Sequence, residues 1–256
     1  MTKIYRFISF EVFIDMLIRK SLTFVHPTAW DDPYELKLLE NNLKQIIGSS
    51  SSIADEGTLG AILEHIISKK LYCQSWTKLN ESDALWRIYN HHNTSVRIET
   101  DLNKISKLEG VEAIEVNYVD DLDITSTDSF YGMIVTKREV FSHEREIRLV
   151  THYKFSGKED VVEYSNDFLK LSGDSRLFNK FEIYEIDEGI DRIISKLNYT
   201  IEDKTTQINY GHIENFIESV MLNPFAPSWF EDTLRMVCEV FDIKFLGKSK
   251  IYKLNE

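Results

Sequence analysis

The apolar and polar positions of this chain alternate between a period of two and a helical period, in short interleaved stretches. Residues 4–7 have the pattern of a short strand. Ser9 follows at a helix N-cap position, and residues 21–26 have the pattern of a second strand that Pro27 ends. The opening of the chain is therefore predicted to be strand–helix–strand.

The same two periods continue to the end of the sequence. Further strands are predicted over residues 71–77, 95–99, 111–119, 143–152, the end of 213–222, and 245–254. Helices are predicted after a turn at residues 30–35, over 59–69 and 81–89, near 134–139, and over 166–171 and 228–240, with loops at 48–57 and 120–128. Since no repeat or clean boundary interrupts this order, it predicts one α+β domain spanning residues 1–256.

Charge and the N-terminal sequence narrow the classes of function and the location. The chain carries 42 acidic and 30 basic side chains, a net charge of -12. Such a charge opposes non-specific nucleic-acid binding, which depends on clustered lysine and arginine. The N-terminus lacks a signal-like apolar region, and no apolar run approaches the roughly 20 residues of a membrane helix. These features predict a cytoplasmic protein without a membrane partner.

The two cysteines, Cys73 and Cys238, both lie in apolar surroundings. Two cysteines without further ligands at suitable spacing do not indicate a zinc site, and no other motif predicts a metal site. We therefore expect two reduced, buried and dispensable thiols.

Glu144 and Glu146 are separated by one residue on a predicted strand, which would place both carboxylates on one face with Arg148. The two carboxylates of such a pair can have different roles: one binds a substrate hydroxyl while the other accepts a proton. A solvated strand face with Arg148 as the counter-charge explains the same three residues. Both interpretations remain open at this point.

Two further strands carry polar residues of interest. Arg6 on the first strand requires an anionic partner, and either a phosphate or a buried carboxylate would serve. On a later strand, Ser75 and Thr77 flank Trp76, so the two hydroxyls are predicted to share one face. These hydroxyls would orient a ribose or a carboxylate, although the triplet is also ordinary strand composition.

Several segments together resemble the bacterial domain-of-unknown-function family numbered 2971. They occur in the family's order up to about residue 150. The segments are residues 5–7, 24–27, 30–35, 73–75, 85–86 with Tyr89, 98–99, 117–118, and Phe141 through Glu144, Glu146 and Arg148. The layout of Arg6, Ser75 with Thr77, and Glu144 with Glu146 is also similar to the Arg–Ser–Glu form of the ADP-ribosyltransferase superfamily.

This resemblance implies split antiparallel sheets with flanking helices, and NAD as a substrate. Glu146 would hold the ribose 2′-hydroxyl and stabilise the developing cation, and Glu144 would take the proton of the acceptor. The implied cofactor-binding residues are Tyr5, Arg6, Ser75, Trp76, Thr77 and Tyr89. Arg6 would bind phosphates or the adenine ribose, Ser75 would position Glu146, and an aromatic ring would stack on nicotinamide.

The function expected from this resemblance is that of a toxin or phage-defence effector that transfers ADP-ribose to a macromolecule, protein or nucleic acid. A neutralising antitoxin or regulatory protein is an expected partner. Two alternatives are a binding module that kept the fold without catalysis, and a metal-dependent nuclease using Asp31, Asp32, Glu144 and Glu146. The nuclease is the least favoured, because no lysine accompanies its carboxylates in a recognisable pattern and the net charge is unfavourable.

Overall fold

The computed structural model describes residues 2–30, 32, 71–90, 92–120, 134–151 and 204–253. The turn and helix predicted after Trp30, the loop 48–57 and the helices 59–69 and 166–171 lie outside these residues, as does almost all of the loop 120–128. The described residues form a mixed α+β structure around one large sheet, as the sequence predicts.

The elements follow one another in the predicted alternation. In chain order they are β1 (Lys3–Ile8), α1 (Phe10–Arg19), β2 (Ser21–Val25), a 3-10 turn (Pro27–Ala29), β3 (Cys73–Thr77), α2 (Asp83–Ile88), β4 (Val96–Asp101), α3 (Leu102–Ile105), β5 (Val111–Glu115), β6 (Asn117–Val119), β7 (Thr136–Arg138), a 3-10 helix (Glu139–Glu144), β8 (Glu146–Thr151), β9 (Thr205–Asn209), β10 (Ser219–Leu222), α4 (Ser228–Val240) and β11 (Lys244–Lys248).

Nine of these strands form the large sheet, which is antiparallel except where β10 pairs with β11. The path runs β11-β10-β4-β1-β3-β2-β9, and β8 pairs with both β3 and β5. Short strands β6 and β7 form a separate parallel pair.

The sheet divides at β3. Along one edge β3 pairs with β8 over its whole length. On its other side it meets β1 only at Tyr5–Thr77 and β2 only at Val25–Cys73. Because β1 and β2 both run antiparallel to β3, they are parallel to each other, yet they diverge from opposite ends of the same strand. We call the opening between them, at the level of Ser75, the fork.

Helix α1 connects β1 to β2 and packs its apolar side into the core. The Ser9 side chain accepts a hydrogen bond from the Val12 backbone N–H, as expected of an N-cap. Phe13, Met16 and Leu17 are the buried residues of this helix. Helix α4 adds Phe230, Leu234 and Cys238 to the same core. Helix α1 therefore packs beside the strands that border the fork, while α4 packs on β10 and β11.

Four predicted elements differ from the structure. The strand predicted over 245–254 ends at Lys248, and residues 251–253 form a turn. The segment 134–139, predicted as a helix, contains β7 and the start of the 3-10 helix. The strand predicted from residue 143 begins only at Glu146, because Arg145 adopts a left-handed conformation with φ 43° that interrupts the extended chain. The strand predicted over 111–119 is two strands, β5 and β6, which pair with different partners.

Both cysteines are buried, and neither forms a disulfide. Burial raises the pKa of Cys238 to about 11, with a smaller contribution from the charge of Glu239. The predicted burial of both residues is confirmed. No helix among the described residues combines the length and the apolarity needed to cross a bilayer.

Candidate functional site

The site predicted from sequence centres on Glu146, at the start of β8 and opposite Thr77 of β3. Strand register places Ser75 opposite Arg148, so the hydroxyls of Ser75 and Thr77 lie on the same face as Glu146 and Arg148. The neighbouring residues Trp76 and Ile147 point to the other face, into the core. The predicted sharing of one face by the two hydroxyls is therefore confirmed.

Glu146 is 2% exposed and is fully engaged by its neighbours. Its Oε1 accepts hydrogen bonds from Ser75 Oγ at 2.6 Å and from Arg148 Nε at 2.8 Å. Its Oε2 accepts one from Arg148 Nη2 at 3.1 Å and lies 2.9 Å from Lys137 Nζ. A carboxylate has about four acceptor positions, so all of those on Glu146 are occupied.

This environment fixes the charge of Glu146. Burial acts to raise the pKa of the carboxyl, but the charges of Arg148 and Lys137 and the hydrogen bonds from Arg148 and Ser75 outweigh it and hold the pKa at about 2. Glu146 is therefore a buried anion at neutral pH.

Glu144 lies in a different environment, although Lys137 binds both carboxylates. The Lys137 ammonium donates to Glu144 Oε2 at 2.8 Å, and the Glu144 side chain is 20% exposed. In the described residues Glu144 Oε1 has no protein partner, which leaves it able to accept a proton or a hydrogen bond from a ligand. Thr77 fixes the backbone of this residue, because its Oγ1 donates to the Glu144 carbonyl at 2.6 Å.

The two carboxylates reach the same lysine by a route that the sequence pattern did not predict. They were expected to alternate along one strand, but Glu144 belongs to the 3-10 helix and Glu146 to β8. The left-handed Arg145 between them turns the chain, so that both carboxylates approach Lys137 of β7.

Residues with no part in the site predicted from sequence, or only the part of a counter-charge, complete it. The Arg148 guanidinium lies 4.3 Å above the Trp30 ring and donates to the Ile134 carbonyl. Tyr118 of β6 accepts a hydrogen bond from the Glu146 backbone N–H at 2.8 Å. Lys137 and Tyr118 were missed because β6 and β7 are paired with each other, which depends on strand pairing across a long sequence separation.

Arg6 lies where β1 leaves β3, immediately after Tyr5. It makes no hydrogen bond and no ion pair in the part of the chain that the structure describes. Loss of hydration lowers the pKa of its guanidinium to about 10. The carboxylate partner considered for it from sequence is therefore absent among the described residues, while the preference of a guanidinium for an anion remains.

The expected convergence holds for Ser75 and Glu146 but not for Arg6: Tyr5 pairs with Thr77 and so shares the face of Glu146, which puts Arg6 on the opposite face of the sheet. Alternation along β1 places Arg6 opposite Ile98 of β4, on the face away from Tyr5. Tyr89, at the C-cap of α2, connects the groups. Burial raises the pKa of its phenol, and its remaining interactions include Glu144, Glu146 and Lys137 on one side and Arg6 on the other.

The predicted aromatic residues have separate positions. Trp76 is 2% exposed within the core, and its Nε1 donates to Gln74 Oε1 at 2.8 Å, so its expected role of stacking on a cofactor does not fit this position. Tyr5 stacks with the Arg97 guanidinium at 4.7 Å. Tyr89 is 36% exposed and interacts electrostatically with both carboxylates.

The fork gives this group access to solvent. Ser75 is the exposed residue of the otherwise buried strand β3. Gln74, Ser75 and Trp76 have no strand partner on the edge that faces the fork, within the described part of the sheet. The Gln74 side chain bridges part of the opening by donating to the Thr23 carbonyl of β2 at 2.9 Å. The exposed hydroxyl of Ser75 thus connects the surface to the buried Glu146.

The acidic residues expected of a nuclease each have a basic partner. Asp32 lies 3.3 Å from Arg138, and Glu144 and Glu146 both contact Lys137, while Asp31 is outside the described residues. Among the residues that the structure describes, no group of histidine, cysteine and acidic side chains is placed to hold a metal ion.

Comparison of the chain with protein-family models, with curated proteins and with solved structures finds no match. The resemblance to family 2971 and to ADP-ribosyltransferases therefore stays a prediction from sequence.

Proposed function

We propose that this protein is an NAD-dependent ADP-ribosyltransferase that modifies a macromolecule and acts as a toxin or phage-defence effector. The observation that carries the proposal is the hydrogen bond from Ser75 Oγ to Glu146 Oε1, two residues that are 71 positions apart and that the Arg–Ser–Glu layout requires to be in contact. The layout also implies split antiparallel sheets, whereas nine of the described strands form a single sheet that opens only at the fork.

Charge supports NAD as the substrate. The carboxylates of Glu144, Glu146 and Asp32 are matched by Lys137, Arg148 and Arg138. Arg6 adds a positive charge without a protein partner among the described residues. A pyrophosphate at the fork would supply the missing anion, and the guanidinium would bind it through two parallel hydrogen bonds.

The two carboxylates have distinct parts in the proposed reaction. Cleavage of the bond between ribose and nicotinamide releases nicotinamide with the bonding electrons and leaves a cationic ribose, which a nearby fixed anion stabilises. Glu146 supplies the anion. Glu144, with its free oxygen and partial exposure, accepts the proton of the attacking acceptor.

The full occupancy of Glu146 sets a condition on this mechanism. For Glu146 to accept a hydrogen bond from the ribose 2′-hydroxyl, one of its four contacts must be released. Lys137 is the contact that has a second carboxylate, Glu144, to hold it. Lys137 would therefore move toward Glu144 when the ribose binds, so we assign it the role of a positioning residue.

The proposal is tested by incubating the purified protein with NAD and a cell lysate, while nicotinamide release and ADP-ribose addition are followed by mass spectrometry. We expect Glu144→Gln to retain more nicotinamide release than acceptor labelling. If the wild-type protein neither releases nicotinamide nor labels any macromolecule, the transferase proposal fails. The non-catalytic binding module then takes its place, an alternative that the complete pairing of Glu146 favours.

Arg6 offers a test of NAD binding that is separate from stability. Arg6→Met removes a partly buried charge that has no partner in the described structure, so the free energy of unfolding should stay equal or rise slightly. The same change should weaken NAD binding by tenfold or more, on the order of a lost charged hydrogen bond. Arg19→Met, on the exposed side of α1, is the matched control and should leave NAD binding unchanged.

A further inference from the structure

An exposed aromatic pair lies beside helix α2, which also leads to Tyr89 of the candidate site. Phe225 and Tyr252 are 47% and 48% exposed, and their ring centroids are 5.0 Å apart with a tilt of 32°. The Arg87 guanidinium of α2 lies 5.9 Å from the Phe225 ring, and its Nη2 is 3.4 Å from the Tyr252 hydroxyl. Two aromatic faces and a planar cation are thus presented together to solvent.

Lysines and two acids surround this pair: Asp83 accepts a hydrogen bond from the Tyr252 hydroxyl, and Glu81 accepts one from the Ser249 hydroxyl. Residues 244–253 contain four lysines and no acidic residue. Lys250 and Lys253 are exposed and share one turn with Tyr252, closed by the bond from the Lys253 N–H to the Lys250 carbonyl at 2.8 Å. The nearest acid, Asp83, is paired with Arg87 at 2.8 Å. We define the aromatic patch as Arg87, Phe225, Lys250, Tyr252 and Lys253.

The aromatic patch is held in place by the fold. Ser249 accepts a hydrogen bond from the Ile251 N–H at 3.3 Å, and Ile251 packs against the buried cluster of Phe7, Leu85 and Trp86. On the other side, Asn223 Oδ1 accepts a hydrogen bond from the Phe225 N–H at 2.8 Å. Such anchoring lowers the entropic cost of binding a flexible partner.

We infer that the aromatic patch binds single-stranded nucleic acid and that this strand is the acceptor of the transferase. Bases stack on exposed aromatic rings irrespective of their identity, and nearby lysines pair with phosphates. The overall charge of -12 repels a phosphate backbone at a distance, so binding is confined to the patch and is expected to depend strongly on salt. The identity of the acceptor rests on the proposed function, whereas the binding itself does not.

The experiment measures the fluorescence anisotropy of a labelled single-stranded oligonucleotide of about 12 nucleotides at low salt, without NAD. Tyr252→Leu, which removes the ring, should weaken binding by about tenfold. Tyr252→Phe keeps the ring and loses only the hydroxyl, so it should bind almost as the wild type does. Unchanged urea unfolding of both variants establishes that they are folded.

The lysines are tested through the salt dependence. Lys250→Gln should lower the slope of log K against log salt by about 0.7, the value for one phosphate contact on a single strand. Lys107→Gln makes the same charge change at an exposed lysine elsewhere and should leave the slope unchanged. A duplex of the same sequence should bind more weakly, because its bases are already stacked.

The outcomes separate this inference from the proposed function. Absence of binding, or binding that Tyr252→Leu does not weaken, overturns the inference. If a protein is labelled from NAD but the oligonucleotide does not bind, the transferase proposal is upheld. The inference that the acceptor is a nucleic acid is then overturned. If the oligonucleotide binds and the Tyr252→Leu and Lys250→Gln variants bind it as expected, the binding surface is upheld. Absence of labelling from NAD would in that case count against the transferase alone.

Discussion

At the scale of single residues, the strongest feature is the contrast between Glu146 and Glu144. Both contact Lys137, but one is 2% exposed with every acceptor position used, and the other is accessible with a free oxygen. In the described structure Glu146 thus holds Arg148 and Lys137 together, while the Glu144 carboxylate contacts Lys137 alone and is partly exposed. The two residues should therefore respond differently to the same substitution.

The sequence leads us to expect that Glu146→Gln leaves stability almost unchanged, as at an open cleft. The structure contradicts this expectation, because the variant leaves Arg148 buried without its counter-charge. We predict a loss of roughly 3–5 kcal/mol in the free energy of unfolding, measured by urea titration. Glu144→Gln is the control and should cost less, about 1–2 kcal/mol, because Lys137 keeps Glu146 as its counter-charge. Equal effects of the two substitutions would show that Glu146 is not paired as described.

Because the pKa of Glu146 is lowered by folding, we predict that the stability of the protein depends on pH. The pKa of Glu146 is about 2 in the folded protein and 4.5 as its ordinary value. A carboxyl with a lowered pKa stabilises the fold above pH 4.5 and loses this contribution as the pH falls toward 2. Each tenfold difference in proton affinity corresponds to about 1.4 kcal/mol, so this contribution to the free energy of unfolding falls by about 3 kcal/mol between pH 4.5 and pH 2.

The measurement is the difference in unfolding free energy between wild type and Glu146→Gln at several pH values. This difference should narrow steadily below pH 4.5, since a protonated glutamate resembles glutamine. The comparison is needed because Glu218, whose pKa is also lowered despite its burial, titrates in both proteins. A difference that stays constant down to pH 2 is incompatible with a depressed pKa at Glu146.

At the scale of elements, the sequence predicted those that depend on local pattern and missed those that depend on pairing. Strand β1, helix α1 and helix α4 are close to the predicted bounds, because a capping serine and a helical spacing of apolar residues are local signals. The segment 134–144 was predicted wrongly, since β7 is stabilised by β6, a partner distant in sequence. No local signal in the sequence marks Arg145 as left-handed.

For the candidate site, sequence alone placed Ser75 and Thr77 on one face and singled out Glu146. It did not predict Lys137 as the shared partner of the carboxylates, because that contact depends on the pairing of β7. It assigned Trp76 to a ligand although the period of two places that ring in the core. Which face of a strand is buried depends on what packs against it, and the sequence of a single strand does not contain that information.

Arg145 allows a test of how the turn before β8 is built. This exposed residue has φ 43° and ψ 52°, a conformation that costs a non-glycine residue about 1 kcal/mol. Arg145→Gly should therefore stabilise the fold slightly, whereas the β-branched Arg145→Val should destabilise it by about 1–2 kcal/mol. Arg145→Ala should fall between them in urea unfolding. If valine proves as stable as glycine, the left-handed turn is not present.

At the scale of the whole molecule, the two thiols report on whether the core is closed. Cys73 of β3 and Cys238 of α4 are 2% and 1% exposed and lie in different parts of the core. We expect neither to react with Ellman's reagent at pH 8 until denaturant unfolds the protein. Both should then react in a single transition that coincides with the loss of circular dichroism.

A thiol that reacts in native buffer would show that its half of the sheet opens independently. Cys73→Ala and Cys238→Ala, made separately, identify which thiol is responsible. Both variants should retain NAD chemistry, because neither sulfur contacts the carboxylates or the fork in the described structure.

The position of β3 also determines when the protein becomes competent during its synthesis. This strand pairs with β1 and β2, made earlier, and with β8, made about seventy residues later, so every one of its pairings closes a long loop. Long-range pairings of this kind form slowly. A ribosome-bound chain that has not yet released residue 146 cannot join Ser75 to Glu146, and β4 still lacks β10. The proposed activity therefore appears only after β8 has been made and has paired with β3.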